Sequence, residues 1–356
     1  MREKRERLES LDVLRGADLF LLVFLQPVLW AVCPAVDWPW YHDMMWHFEH
    51  AAWEGFRAWD MIMPLFLFMV GTSMPFALAR FRGNPRGAWA RILRRFLLLF
   101  LFGMIVQGNL LALDADRLYI YNNTLQAIAF GYVIAAVTLL NTGVRGQILT
   151  TVALLLIYWL PMRLFGDYTP TGNFAFKVDE LIIGRFRGDL TYTWVWSSLT
   201  FGATVLLGAL AGQMMKNPRA TKTRTAGLLA LVGAALVGLG LLWDLEHPII
   251  KHLWTSSMTL FAAGICYLLM AVFYWWIDCR GHRRGLQWLK VYGLNSITAY
   301  VLGEVVDFRS IVASVSYGLQ NFLSPEWYGA WLTFGNFAIL YLILLWMQRD
   351  KIYLKL

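Results

Sequence analysis

Ten stretches of sixteen or more residues run through this 356-residue chain with almost no charge, and nothing else in the sequence limits its fold so strongly. They lie at 17–33, 61–79, 96–113, 118–144, 146–162, 190–215, 225–243, 253–277, 291–306 and 327–348, and only Asp18 and Glu304 interrupt them. A helix needs about 17 to 25 apolar residues to cross a bilayer, which is the length of these runs. Inside hydrocarbon each backbone N–H and C=O has to be satisfied within the protein, so a run of this kind becomes a helix. Composition agrees: 15% of residues are charged, against about a quarter in a soluble domain that must clothe a wet surface. The chain therefore reads as an all-α polytopic membrane protein with about ten transmembrane helices, organised as a single transmembrane domain over 1–356. A cytosolic enzyme, a disordered scaffold and a disulfide-stapled secreted domain are excluded. Cys33, Cys266 and Cys279 lie in or beside apolar runs and read as packing residues.

The net charge of +8 is explained by membrane topology, and no nucleic acid partner is expected. An even number of spans puts both termini on one side. With the N-terminus in the cytoplasm, 23 of the 31 lysines and arginines fall in inner segments and 8 in outer loops, as the positive-inside rule requires. On this reading 1–16 is a cytoplasmic N-terminus, 34–60 a first outer loop and 163–189 a second. Glu3, Glu6 and Glu9 are mixed into the basic start, so the first span reads as a retained helix, not a signal peptide. The uncharged stretch 310–323, rich in Ser, Gly, Gln and Asn, is expected to be re-entrant or interfacial.

Polar groups at membrane depth are costly, and chemistry is sought where they gather. The first outer loop holds His42, His47 and His50, three of the chain's six histidines, with Asp43, Glu49, Glu54 and Asp60. Trp38, Trp40, Tyr41, Trp46, Trp53 and Trp59 surround them as an interfacial aromatic belt. His47 and His50 at i, i+3, with Glu54 after them, share a face if the loop is helical, but this spacing matches no zinc signature and no metal is expected. A histidine at the mouth of a membrane cavity is suited to general-base work. Asp60 begins the second span. It either orients that imidazole or caps the helix that follows.

The run His50-Ala-Ala-Trp-Glu-Gly55, then Trp59-Asp60 and Pro64-Leu-Phe-Leu-Phe-Met-Val-Gly71, resembles the core motif of the heparan-α-glucosaminide N-acetyltransferase family. Further pieces follow in the family's order: Ser10-Leu-Asp-Val-Leu-Arg-Gly16, Leu125-Gln126 with Tyr132, Leu206-Leu-Gly-Ala-Leu-Ala-Gly212, Leu253-Trp-Thr-Ser-Ser257, and Gly293-Leu-Asn295 with Ala299-Tyr300. The resemblance implies a bacterial relative in the inner membrane that moves acetyl from cytosolic acetyl-CoA to an amino sugar or other glycan outside. It also implies that His50 is the catalytic histidine. The chain departs from the family at Ala127, where an Arg is expected, and in having no Asn across 38–49.

An amine attacking a thioester must lose a proton, so a base near neutral pKa is required. His50 supplies it, or carries the acyl group itself, with Asp60 as its partner. Trp53, Glu54 and His47 are the candidate acceptor contacts. Coenzyme A needs cations for its phosphates, and Arg15, Arg91, Arg94 and Arg95 are candidates for them; Ser256, Ser257 and Asn295 are candidates for the passage of the acyl arm. Asp18, Gln107, Asn109, Asn122, Asn123, Gln126 and Glu304 complete the expected polar interior. The expected partners are the lipid bilayer, acetyl-CoA and the acceptor, with a homo-oligomer left open. The other class of function open to such a chain is a transporter of a sugar, lipid or ion, which would use the same intramembrane polar groups.

Overall fold

The computed structural model describes residues 8–81, 85–108, 113–114, 118–188 and 193–354; Asn109 lies outside them. Regular structure among the described residues is helical, apart from one isolated β-bridge between Gly55 and Ile250. The first helices are α1 (Glu9–Phe20), α2 (Gln26–Val32), α3 (Pro39–Met45), α4 (Ile62–Leu78) and α5 (Pro85–Val106). Next come α6 (Thr124–Asn141), α7 (Val144–Phe165), α8 (Phe174–Ile182), α9 (Ser198–Lys216), α10 (Lys222–Asp244) and α11 (Ser256–Phe273). The last are α12 (Gln287–Leu294), α13 (Ser296–Val305), α14 (Arg309–Ser316) and α15 (Pro325–Arg349).

Among the described residues, eight helical stretches are long and apolar enough to cross a membrane, starting with Glu9–Ala35 and ending with Pro325–Arg349. The protein is a multi-pass, all-α membrane protein. Two of the ten expected spans differ from that pattern, each for a local reason. The span expected at 96–113 is α5, which begins at Pro85 and so takes Arg91, Arg94 and Arg95 into its own helix. The span expected at 291–306 breaks at Asn295, whose φ of −119° and ψ of 40° are not helical, into two helices of 8 and 10 residues. The segment 310–323 is mostly the short helix α14 and a 3₁₀ turn at Tyr317–Asn321.

The chain divides into two compact units. Among the described residues, the first comprises 8–50, 57–62 and 273–354. Its centre is the pairing of α1 with α12, where glycine lets two backbones touch. A Cβ on Gly16 would lie 1.9 Å from the Leu289 carbonyl oxygen, and one on Gly293 would lie 2.0 Å from that of Asp12. Small residues at such crossings are how helices associate in lipid, which offers no hydrophobic drive between them. Phe20 packs edge-on against Trp288 at 4.8 Å, and Glu9 accepts from Lys290 and forms an ion pair with Arg283 at 3.3 Å.

Among the described residues, the second unit comprises those of 51–56 and 63–272. Here α4 and α9 approach in the same way at three successive levels. Cβ atoms on Gly71, Gly208 and Gly212 would meet the carbonyl oxygens of Val205, Phe68 and Thr72 at 1.9, 2.1 and 2.3 Å. The Gly208-x-x-x-Gly212 of the Leu206–Gly212 motif is thus part of the seam between α4 and α9, and even one methyl group there forces the helices apart, a kind of overpacking that costs about 1–3 kcal/mol.

Candidate active site

In the first unit the chain reaches His50 through α3 and a 3₁₀ turn at Trp46–Phe48, then leaves helical geometry at Glu49, with φ −102° and ψ 156°. His47 and His50 therefore share no helical face, and the geometry that a metal reading requires is not formed. His47 stays exposed, edge-on to Trp46. Beyond the break, a 3₁₀ turn at Ala58–Met61 leads into α4. Asp60 lies in that turn and is fully buried. Its Oδ1 accepts from Nδ1 of His50 at 2.7 Å, and its Oδ2 accepts from the backbone N–H of Arg57 at 2.8 Å. One oxygen thus meets the histidine, and the other reaches back from the third position of the turn to the backbone of Arg57, its N-cap. The His50 side chain is 44% exposed, so the ring is anchored at one nitrogen and accessible on its flank.

The surroundings hold this pair in place. The Arg57 guanidinium bonds Glu49 at 2.8 Å and lies 4.4 Å from the centre of the Trp46 ring. Phe48 packs on Trp59, and Gln26 donates to the Phe48 carbonyl at 3.0 Å.

In the second unit, residues 51–56 are fixed by the loop between α10 and α11. Gly55 N–H donates to the Ile249 carbonyl at 2.9 Å, and His252 Nε2 donates to the Ala51 carbonyl at 3.3 Å. Trp53 lies parallel to the His252 ring at 5.4 Å, and its indole N–H donates to the Tyr168 carbonyl at 2.6 Å. Glu54 is exposed. The loop itself is tied down from several helices: Tyr158 and Ser197 both donate to the Leu253 carbonyl, at 2.6 and 2.7 Å, and Trp194 donates to that of His252 at 2.7 Å. Trp254 adopts a positive φ of 55°, a conformation that a bulky residue keeps only where its surroundings impose it. His247 is fully buried, its Nε2 accepting from the Ser256 N–H at 3.0 Å while Nδ1 donates to the Tyr168 hydroxyl at 2.8 Å. Burial pushes its pKa down to about 3, so it is neutral at physiological pH. Sequence reasoning missed His247, His252 and Tyr168. The available signal was two of the six histidines within six residues, immediately before Leu253-Trp-Thr-Ser-Ser257.

The family model described as "Heparan-alpha-glucosaminide N-acetyltransferase, catalytic" matches residues 7–242, about two thirds of the chain. The chain belongs to this family. It is similar to the heparan-alpha-glucosaminide N-acetyltransferase of Mus musculus, with 24% identity over 372 residues covering 86% of this chain and 54% of that protein. The Homo sapiens protein of the same name is 24% identical over 374 residues, covering 85% and 53% respectively. The chain thus spans about half the length of the curated relatives it matches. His50 and Asp60 fall within the matched region.

The remaining residues expected to serve such chemistry divide between the two units. Arg95 lies 4.5 Å from the centre of the Tyr132 ring, Arg91 is half-buried, and Arg94 on the same helix is exposed. Arg15 faces Asp12 at 4.0 Å. Ser256 and Ser257 are buried at the start of α11, where Ser256 donates to the Leu155 carbonyl at 2.8 Å and Ser257 pairs with Thr255 at 3.2 Å. Asn295 is buried at the α12–α13 break, and both polar atoms of its side chain lack a hydrogen bond.

Proposed function

We propose that this chain is a membrane acetyltransferase in which His50, backed by Asp60, is the general base. The observation that carries the reading is the 2.7 Å bond between a half-exposed imidazole and a fully buried carboxylate. With Nδ1–H donated to Asp60, the basic lone pair of the neutral ring is on Nε2. An acceptor amine attacks the thioester carbonyl carbon while Nε2 takes its proton. The N–C bond forms, the C–S bond breaks, and the leaving thiolate recovers a proton from the imidazolium. Asp60 stabilises the imidazolium in between.

The relatives' name supplies an amino sugar as the acceptor class, and acetyl-CoA is the donor that such chemistry draws from the cytosol. Exposed His47 suits a hydroxyl group of such a sugar. The compartment is the inner membrane of a bacterium, with the acceptor outside. The test is release of coenzyme A from labelled acetyl-CoA by the purified full-length protein, offered a panel of amino sugars. His50→Ala is expected to lower turnover by about 10² to 10⁴ while keeping the wild-type melting profile. A folded variant with undiminished turnover overturns the assignment.

A further inference from the structure

Within the first unit, a cavity of about 400 Å³, in the range of small-molecule sites, lies between α2, the C-terminal end of α13 and α15. Its polar wall is built around Glu304. This carboxylate interrupts the apolar run 291–306, and its own helix offers it no lysine or arginine. Among the described residues it makes neither a hydrogen bond nor an ion pair. A charge at membrane depth is costly unless a partner meets it, so an unpaired carboxylate there marks a site. Arg309, the cation in the lining, is already committed. Its Nε donates to both oxygens of Asp307 at 3.0 Å and its Nη2 to Oδ2 at 2.7 Å. Asp307 is neutralised by that pairing, which leaves Glu304 as the uncompensated charge.

The backbone adds to it. Helix α13 gives way to extended geometry at Val306, with φ −110° and ψ 124°, and the Val306 N–H closes the last helical bond, to the Leu302 carbonyl at 3.0 Å. The carbonyls of Gly303, Glu304 and Val305 are left without helical donors, and these residues line the cavity, so the negative end of the helix faces it. A second, independent group is aimed into the same space. Asn336 is only 7% exposed. Its Oδ1 accepts from the Phe308 N–H at 2.6 Å, which fixes the oxygen end, and its Nδ2 meets the cavity with no hydrogen bond among the described residues. A bare cation would satisfy Glu304 and leave this amide unmet. An anion would suit the amide and be repelled by Glu304 and the carbonyls. A ligand that answers both carries an ammonium and, a few bonds away, an oxygen acceptor.

We propose that this cavity binds a primary ammonium group with a neighbouring oxygen acceptor, the ammonium on Glu304 and the oxygen on Asn336, as an amino sugar or the ethanolamine headgroup of a lipid carries them. The proposal goes beyond the acetyltransferase reading and needs no chemistry at His50. The experiment uses the full-length protein in phosphatidylcholine nanodiscs, whose trimethylated headgroup has no N–H to donate. Saturation-transfer NMR measures the Kd of glucosamine against that of neutral N-acetylglucosamine. Native mass spectrometry measures retention of doped phosphatidylethanolamine against phosphatidylcholine. Two variants address the cavity independently: Glu304→Gln removes the charge at constant size, and Thr333→Phe fills the space from the α15 wall. Each is expected to weaken binding of the amine about tenfold, the scale of one lost charge-assisted contact; glucosamine held at His50 alone would respond to neither. A response confined to glucosamine identifies a soluble amine as the occupant, and one confined to phosphatidylethanolamine identifies a lipid. A wild-type protein that prefers neither amine to its control, or an amine preference that survives in both folded variants, overturns the proposal and leaves the acetyltransferase reading intact.

Discussion

Asp60 serves the helix and the histidine with different oxygens, and this makes its substitution informative. In Asp60→Asn the side-chain oxygen can still accept from Arg57 N–H, so the turn at Ala58–Met61 persists. The amide, however, offers a donor to His50 Nδ1, which favours the tautomer with the proton on Nε2 and withdraws the base from the substrate. The expected outcome is a loss of turnover of at least about a hundredfold with little change in melting temperature. Asp60→Ala, which also breaks the helix start, is expected to lower both. Turnover and thermal melting of the two variants side by side check this, and equal stability losses would show that Asp60 acts on the fold alone. The contact between His50 and Asp60 was legible in the sequence because the resemblance singled out His50 and an aspartate stands ten residues on, at the start of the next span. His252 and His247 were not, because their partners are backbone groups and a tyrosine brought together only by folding.

At the scale of elements, the glycine-bearing helices were legible from apolar length, whereas two boundaries were not. Helix α5 extends its polar start past where charge alone would end a span, and Asn295 breaks a run whose hydropathy is continuous. Among the short elements that close the second unit, α8 and the α10–α11 loop carry two buried groups with opposite proton linkage. Burial pushes Asp179 up from its ordinary 3.8 to about 7, while His247 is pushed down from 6.5 to about 3. Between about pH 4 and 6.5 the folded chain holds a proton on Asp179 that the unfolded chain has lost, so rising pH removes roughly 1.4 kcal/mol per unit. Over the same interval the unfolded chain protonates His247 and the folded chain does not, so rising pH adds a like amount. The two slopes cancel, and the contribution of this region is expected to be flat across that window. Asp179→Asn, whose oxygen can still accept from the Val195 N–H bonded at 2.9 Å, leaves His247 unopposed. Its stability should then climb from pH 4 to 6.5 relative to wild type, as followed by thermal melting in buffered detergent. A variant that runs parallel to wild type over that range refutes the linkage.

For the whole molecule, the distribution of charge decides which side of the membrane each piece of chemistry faces. The positive-inside count assigns the arginine-rich ends to the cytoplasm and His50 to the exterior, the arrangement required by the transfer proposed above. The native cysteines report on it without engineering. Cys33 follows α2 and is partly exposed, Cys279 follows α11 and is partly exposed, and Cys266 is buried within α11. The topology puts Cys33 outside and Cys279 inside. In sealed right-side-out vesicles, a membrane-impermeant maleimide should label Cys33 alone, with Cys279 reacting only after permeabilisation and Cys266 only on unfolding. Labelling of Cys279 before Cys33 would invert the topology. It would place His50 on the cytoplasmic side, and the proposed transfer to an external acceptor would fail even though each residue contact stood.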